Sequence, residues 1–86
     1  MFFRTTQGGR YVDQLVNGVA HESKVGYATL TKDVATQIAK DAELINSGAI
    51  RGAAWHFFES PVTGLKGPSG PLLDALRNAG IGVTIH

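Results

Sequence analysis

The pair Asn17-Gly18 constrains this chain more than any other feature of its sequence. It lies between two roughly alternating, β-branched runs, residues 11–16 and 19–25. An Asn-Gly pair in this setting is the strongest short-range signal for a two-residue hairpin with a type I′ turn. A turn at these two residues sets the register of both strands, with Val16 facing Val19.

The same register brings charged side chains together. Asp13 then faces Glu22 and Tyr11 faces Lys24, and directly opposed residues share one face of a sheet. Alternation along the strand puts Lys24 on that face too. Like charges directly opposed destabilise a ladder, so the two carboxylates indicate a bound divalent cation. The alternative is an exposed polar face held by surface ion pairs, each contributing about 0–1 kcal/mol.

The remaining patterns complete an α/β (α+β) domain over residues 1–86. Helical spacing, cap residues and apolar runs predict one mixed sheet with the order β-β-β-α-β-α-β. Strands are expected over residues 1–6, 10–16, 19–25, 51–60 and 81–85, a turn over 7–9, one helix over 31–47, and a second helix that Pro71 opens and Gly80 ends.

Apolar residues predict where the core lies. The valines at positions 12, 16, 19 and 25 are expected on the face opposite Asp13 and Glu22, which marks the valine face as core. The nearly continuous apolar run of residues 51–60 predicts a central strand buried on both faces, with His56 as a satisfied core histidine.

Composition excludes several classes of protein. The chain is 43% hydrophobic and 17% charged and lacks cysteine, so it is globular, without disulfides or thiolate metal sites. No apolar run reaches the ~20 residues of a membrane span, and no segment resembles a signal peptide. The net charge of +1 neither supports nor excludes a nucleic-acid partner.

One edge of the predicted sheet suits a phosphate ester. In sheets of this kind the ligand crevice lies beyond the carboxyl ends of the parallel strands. Glu22 and Lys24 approach that edge, and both helices, starting near Thr31 and near Ser69, would present their N-terminal N–H groups there. Carboxylates, a lysine and two helix starts favour a phosphate ester held with a metal ion.

The spacing Asp13, eight residues, Glu22-Ser23-Lys24 resembles the D…E-x-K signature of the PD-(D/E)XK nuclease superfamily, which has the restriction-endonuclease fold. Residues 10–27, with Gln37 and Asp41 in the first helix and the WHFF run at residues 55–58, look like the toxin domains of bacterial polymorphic toxins. Val12 stands where the superfamily's name-giving proline would precede the aspartate. The helix that usually precedes the meander is absent, which implies the tail of a longer protein or a truncated piece.

The resemblance implies a metal-dependent endonuclease. Asp13, Glu22 and the carbonyl of Ser23 would hold Mg²⁺, for which Mn²⁺ could substitute, and Asp13, Glu22, Lys24 and Gln37 would form the catalytic set. For nucleic-acid binding we expect Arg10, Lys66 and Ser69, the last two from their position alone.

The resemblance also implies partners and a setting. DNA is the expected substrate, and a cognate immunity protein the expected protein partner. The chain would be bacterial and act in a cytoplasm, including that of a target cell after secretion within a larger protein. Alternatives are a ribonuclease of the same fold, a non-catalytic module binding nucleic acid or a protein partner, and a homodimer formed through short edge strands.

Overall fold

The computed structural model describes residues 2–86, and within them it contains two helices and six strands. The class is mixed α+β with a mixed sheet, as the sequence predicts. The elements are β1 (Phe2–Thr5), β2 (Gly8–Tyr11), β3 (Gln14–Val16), β4 (Val19–Val25), α1 (Lys32–Asn46), β5 (Gly52–Phe58), α2 (Gly70–Asn78) and β6 (Gly82–Ile85).

The predicted turn between β3 and β4 is confirmed. Asn17 and Gly18 have φ values of 52° and 81°, and a type I′ turn requires positive φ at both central residues. Val16 pairs with Val19, and the antiparallel ladder continues as far as Gln14 opposite His21. The Asn-Gly pair therefore sets the register of the hairpin, but only over the short strand β3.

The single strand predicted over residues 10–16 is wrong. Its first part belongs to β2, which pairs with β1 in a separate two-stranded sheet, and its last part is β3. Between them Val12 is buried, and so is Arg10 in β2, with 4% and 6% of their surfaces exposed. The chain leaves the ladder with β4 where these two side chains are buried. The element order is therefore β-β-β-β-α-β-α-β.

The turn of the first hairpin also lies earlier than predicted. Phe2 pairs with Tyr11 and Thr5 with Gly8, so residues 6–7 make the turn. Gly9 belongs to β2, where a Cβ atom would lie 2.3 Å from the ring of Phe2. Met1, the start of the predicted first strand, lies outside the described residues.

The second half of the fold consists of two parallel crossovers. β4, β5 and β6 are parallel neighbours in a four-stranded sheet of order β3-β4-β5-β6. The predicted helix starts near Thr31 and near Ser69 are confirmed: Thr31 Oγ1 accepts from the N–H of Val34 at 3.1 Å, and Ser69 Oγ accepts from that of Leu72 at 3.3 Å. Both helices therefore begin beyond the carboxyl ends of β4 and β5.

The four-stranded sheet has one covered face and one open face. The covered face packs against α1 and α2 and carries Leu15, Ala20, Glu22, Lys24, Ala53, Trp55, Phe57 and Val83. The open face carries Gln14, Val16, Val19, His21, Ser23, Val25, Gly52, Ala54, His56, Phe58, Gly82 and Thr84, none of which is buried.

Two predictions about the core are therefore wrong. Val16 and Val25 are 42% and 67% exposed, so the valines beyond Val12 do not form a core face, and the face of Glu22 packs against the helices instead. β5 is central but buried on one face only, because both crossover helices lie on the same side of the sheet. Trp55 and Phe57 on that side have no exposed surface.

Candidate functional site

Arg10, at the end of β2, joins the first hairpin to the sheet and to α1. Its Nε donates to Asp41 Oδ1 at 2.9 Å, and its Nη2 donates to Glu22 Oε2 at 2.8 Å. Trp55 Nε1 donates to the other oxygen of Asp41 at 2.9 Å. These four side chains form one continuous set of hydrogen bonds under α1, which we call the buried ion network.

Pairing of charges makes the burial of this network tolerable. The side chains of Arg10, Glu22 and Asp41 are only 7%, 12% and 2% exposed, and unpaired charges at such depth are strongly destabilising. Burial by itself lowers the pKa of Arg10, but the hydrogen bonds to Glu22 and Asp41 outweigh it and raise that pKa above its ordinary value. Lys24 Nζ lies 3.6 Å from Glu22 Oε1, so two carboxylates meet two cations.

Lys24 lies where β4 meets the first half of α1. Its Nζ donates to Gln37 Oε1 at 2.9 Å and stands 5.2 Å from the centroid of the Trp55 ring. Lys24 shares a face with Glu22 because the two are two residues apart on a strand. Gln37 shares a face with Asp41 because the two are four residues apart on a helix. The structure therefore brings together Glu22, Lys24 and Gln37 of the four residues predicted as catalytic.

Asp13, the fourth of them, does not face Glu22, and that predicted pairing is wrong. Asp13 is exposed and precedes β3, and its Oδ2 accepts from the backbone N–H of Ser23 at 3.0 Å. The antiparallel ladder ends at Gln14, so the N–H of Ser23 has no backbone partner on β3. The carboxylate of Asp13 accepts its hydrogen bond instead. Asp13 thus contacts β4 at Ser23, which follows Glu22 directly.

The three residues predicted to contact nucleic acid, Arg10, Lys66 and Ser69, differ in exposure. The burial of Arg10, with two carboxylates on its guanidinium, is incompatible with the predicted contact. Lys66 is exposed and its Nζ donates to the backbone oxygen of His86 at 3.0 Å. The hydroxyl of Ser69 caps α2 and the residue is 9% exposed. Roles for Lys66 and Ser69 in binding nucleic acid stay predictions.

The first hairpin is held against α1 by two further polar contacts. Glu43 accepts from the backbone N–H of Thr6 at 2.7 Å and from its hydroxyl. Lys40 Nζ donates to the carbonyl of Gly9 at 2.9 Å. Both contacts help to position the strand that carries Arg10 into the buried ion network.

The sequence did not predict the row of histidines on the open face. His21 Nδ1 lies 2.8 Å from His56 Nε2, and His56 Nδ1 lies 2.9 Å from His86 Nε2. We call His21, His56 and His86 the histidine row. His56 is satisfied by hydrogen bonds as predicted, but it is half-buried on the open face and not in the core. The polar His56 between the apolar Trp55 and Phe57 could have indicated that one face of this strand is in contact with solvent.

The donor chemistry of Asp13 and Glu22 suits a hard cation. Mg²⁺ is usually held through one or two carboxylates, with waters completing its shell. Glu22 lies on β4, and Asp13, just before β3, contacts the next residue of β4, Ser23. Among residues 2–86, no group of three or more histidine, aspartate and glutamate side chains is arranged to hold a metal ion. Binding of Mg²⁺ by Asp13, Glu22 and the carbonyl of Ser23 stays a prediction.

Comparison with protein family models, with curated proteins and with solved structures finds no match to this chain. Neither described helix combines the length and apolar character needed to cross a membrane.

Proposed function

We propose that this chain is a metal-dependent endonuclease domain of the PD-(D/E)XK superfamily that hydrolyses DNA phosphodiester bonds as part of a bacterial toxin. The supporting observation is that Lys24 contacts both Glu22 and Gln37. Glu22 and Lys24 would share a face of any strand. Gln37 lies on a helix, so only the tertiary fold brings its amide to the lysine.

The surroundings of this site also support a phosphate ligand. Lys24 lies near the carboxyl end of β4, where α1 and α2 both begin. The loops that follow β4 and β5 meet there, with the backbone N–H of Ala28 bonded to the carbonyl of Gly67 at 3.1 Å. Helix N-termini at the carboxyl ends of parallel strands are favourable places for phosphate groups.

Each side chain has a role in the proposed hydrolysis. Asp13, Glu22 and the carbonyl of Ser23 would hold Mg²⁺, which when bound would polarise the phosphodiester and lower the pKa of a bound water. The ammonium group of Lys24 would offset negative charge that develops on the phosphate. Gln37 accepts a hydrogen bond from that ammonium group and so restricts where Lys24 points.

Cleavage of supercoiled plasmid DNA in Mg²⁺ tests the proposal. We expect nicking or linearisation that EDTA abolishes and that Lys24→Ala reduces about 100-fold or more, the usual effect of removing one charge-stabilising group. Arg77→Ala is the control, because Arg77 is an exposed cation in the last turn of α2, at the opposite end of that helix from the proposed site. Equal cleavage by wild type and Lys24→Ala would refute the assignment. Cleavage of total RNA with plasmid untouched would keep the mechanism and change the substrate.

A non-catalytic binding module is the second candidate. It is favoured by the pairing of Glu22 with Arg10, which uses one carboxylate oxygen for the fold. A module of this kind would retain DNA in a gel-shift assay without cleaving it, with and without Mg²⁺. Cells that express the wild-type chain would then grow as well as cells that express Glu22→Ala, with soluble protein confirmed in both.

A further inference from the structure

The histidine row lies on the face of the sheet opposite the proposed nuclease site. His21 on β4 and His56 on β5 stand diagonally across adjacent parallel strands, since His21 pairs with Ala54 and His56 with Ser23. His21, His56 and Ala54 are half-buried, and Ser23 is exposed. Ser23, paired with His56, is the exposed residue of this group, so the row borders solvent on that side.

We propose that His21 Nδ1 and His56 Nε2 bind a late first-row divalent ion, Cu²⁺ in preference to Zn²⁺, with His86 orienting His56. Two nitrogens bound to one ion at about 2.0–2.1 Å lie roughly 2.8–3.0 Å apart when the angle at the metal is 90°. The two ring nitrogens already lie 2.8 Å apart. One of these nitrogens carries the proton of their hydrogen bond. Binding therefore needs that proton to move to the other nitrogen of its ring, through solvent, and both rings to turn so that their lone pairs meet beside the row.

Ligand type and affinity order favour Cu²⁺, since sites of this kind bind Cu²⁺ more tightly than Zn²⁺. Square-planar or tetragonal coordination, with its 90° angles, is typical of Cu²⁺. Imidazole suits Cu²⁺ and Zn²⁺, whereas Mg²⁺ takes oxygen ligands. The pair should therefore rank these ions Cu²⁺, then Zn²⁺, with no detectable Mg²⁺ binding.

His86 does not bind the metal but orients the ring of His56, which does. A metal-bound histidine usually donates its other ring N–H to a fixed acceptor, which orients the ring. His56 Nδ1 lies 2.9 Å from His86 Nε2, and the His86 ring stacks on Phe58 with centroids 4.3 Å apart and planes 7° apart. The backbone N–H of His86 also donates to the carbonyl of Phe57 at 2.9 Å.

The geometry explains why this is a pair and not a three-histidine centre. His56 points Nε2 at His21 and Nδ1 at His86, so the three rings cannot converge on one ion. Waters would fill the remaining positions on the solvent side. A neutral His56 is required as a ligand, and burial followed by the charges of His21 and His86 lowers its pKa.

Titration of the tag-free chain with CuCl₂ tests the proposal, followed by calorimetry and electron paramagnetic resonance. We expect one Cu²⁺ per chain and an axial spectrum with hyperfine splitting from two imidazole nitrogens. His21→Gln and His56→Gln should each weaken binding at least about tenfold and remove one of the two nitrogens. His86→Phe keeps a ring to stack on Phe58 and removes the acceptor, so it should weaken binding about tenfold and leave two nitrogens in the spectrum.

Two controls separate this site from the proposed nuclease site. Glu22→Gln should leave Cu²⁺ affinity and the spectrum unchanged, because Glu22 lies on the covered face. Thermal melts of each metal-free variant identify any loss of binding that follows from unfolding. Wild-type Cu²⁺ affinity in folded His21→Gln or folded His56→Gln would overturn the proposal, as would a spectrum without imidazole nitrogens.

Discussion

The two faces of β4 use polar residues in opposite ways. His21 and Ser23 project onto the open face, where the imidazole ring and the hydroxyl keep contact with water. Glu22 and Lys24 project onto the covered face, where the charged groups are largely removed from water and held by partners. On the covered face a charge is tolerated only with its counter-charge, so deleting one group there should cost far more than deleting one on the open face.

Asp41→Ala is the change expected to have the largest effect. It would leave the Trp55 N–H without its acceptor and Arg10 with only one of its two carboxylates. Breaking a buried ion pair in this way costs about 3–5 kcal/mol, to be measured by urea unfolding. Asp33→Ala, in the exposed first turn of α1, is the control and should cost no more than about 1 kcal/mol. Similar losses for both variants would show that the network is not specially stabilising.

Glu22→Gln should have an intermediate effect on stability. The amide keeps the shape of the side chain but loses the charge that faces Arg10 and Lys24, and hydrogen bonds to charged groups contribute about 1.5–3 kcal/mol. Urea unfolding of this variant can be paired with Glu59→Gln, an exposed glutamate just beyond β5. Glu59→Gln should stay within about 0.5 kcal/mol of wild type. A loss for Glu22→Gln no larger than that would contradict the paired geometry.

On the open face, His56 should make the free energy of unfolding depend on pH. Burial, then the charges of His21 and His86, lower the pKa of His56, so near pH 6 the unfolded chain binds more protons than the folded chain. Stability should therefore rise with pH. The loss of stability caused by His56 is absent well above the ordinary histidine pKa of about 6.5. It is complete once the pH falls below the lowered pKa that His56 has in the folded chain. Because His56 is only half-buried and solvent screens its charge, the change should stay under about 1 kcal/mol.

Thermal melts of wild type and His56→Gln between pH 5 and 8 measure this contribution. The difference between the two proteins should shrink at low pH, where the wild type carries the penalty and the glutamine variant does not. The predicted sign would be wrong if the wild type became less stable as the pH rises through this range while His56→Gln did not.

Val25→Thr should have the smallest effect. Val25 is 67% exposed on the open face, and surface substitutions of this kind usually stay within about 0.5 kcal/mol. The measurement is urea unfolding at two protein concentrations. A loss above about 1 kcal/mol that depends on concentration would show that a second copy covers the face, and the contrast between the faces would then hold only for the monomer.

Much of the local structure could be predicted because its causes are local. Asn17-Gly18 makes a type I′ turn since asparagine and glycine tolerate positive φ. Thr31 and Ser69 start helices since their hydroxyls accept N–H groups within three residues. The alternation of Glu22 and Lys24 on one side of β4 follows from the pleat alone. Each of these features depends on residues close together in sequence.

What the sequence could not determine is which face of β4 the helices would cover. Period-two alternation identifies two faces without saying which is buried, and the valines at positions 16, 19 and 25 favoured the wrong one. The covered face carries Glu22 because Arg10, from a hairpin outside the main sheet, supplies its counter-charge, and Asp41 on α1 completes the pairing. Those partners lie 12 and 31 residues from Arg10 along the chain, so only the tertiary structure brings these charges together.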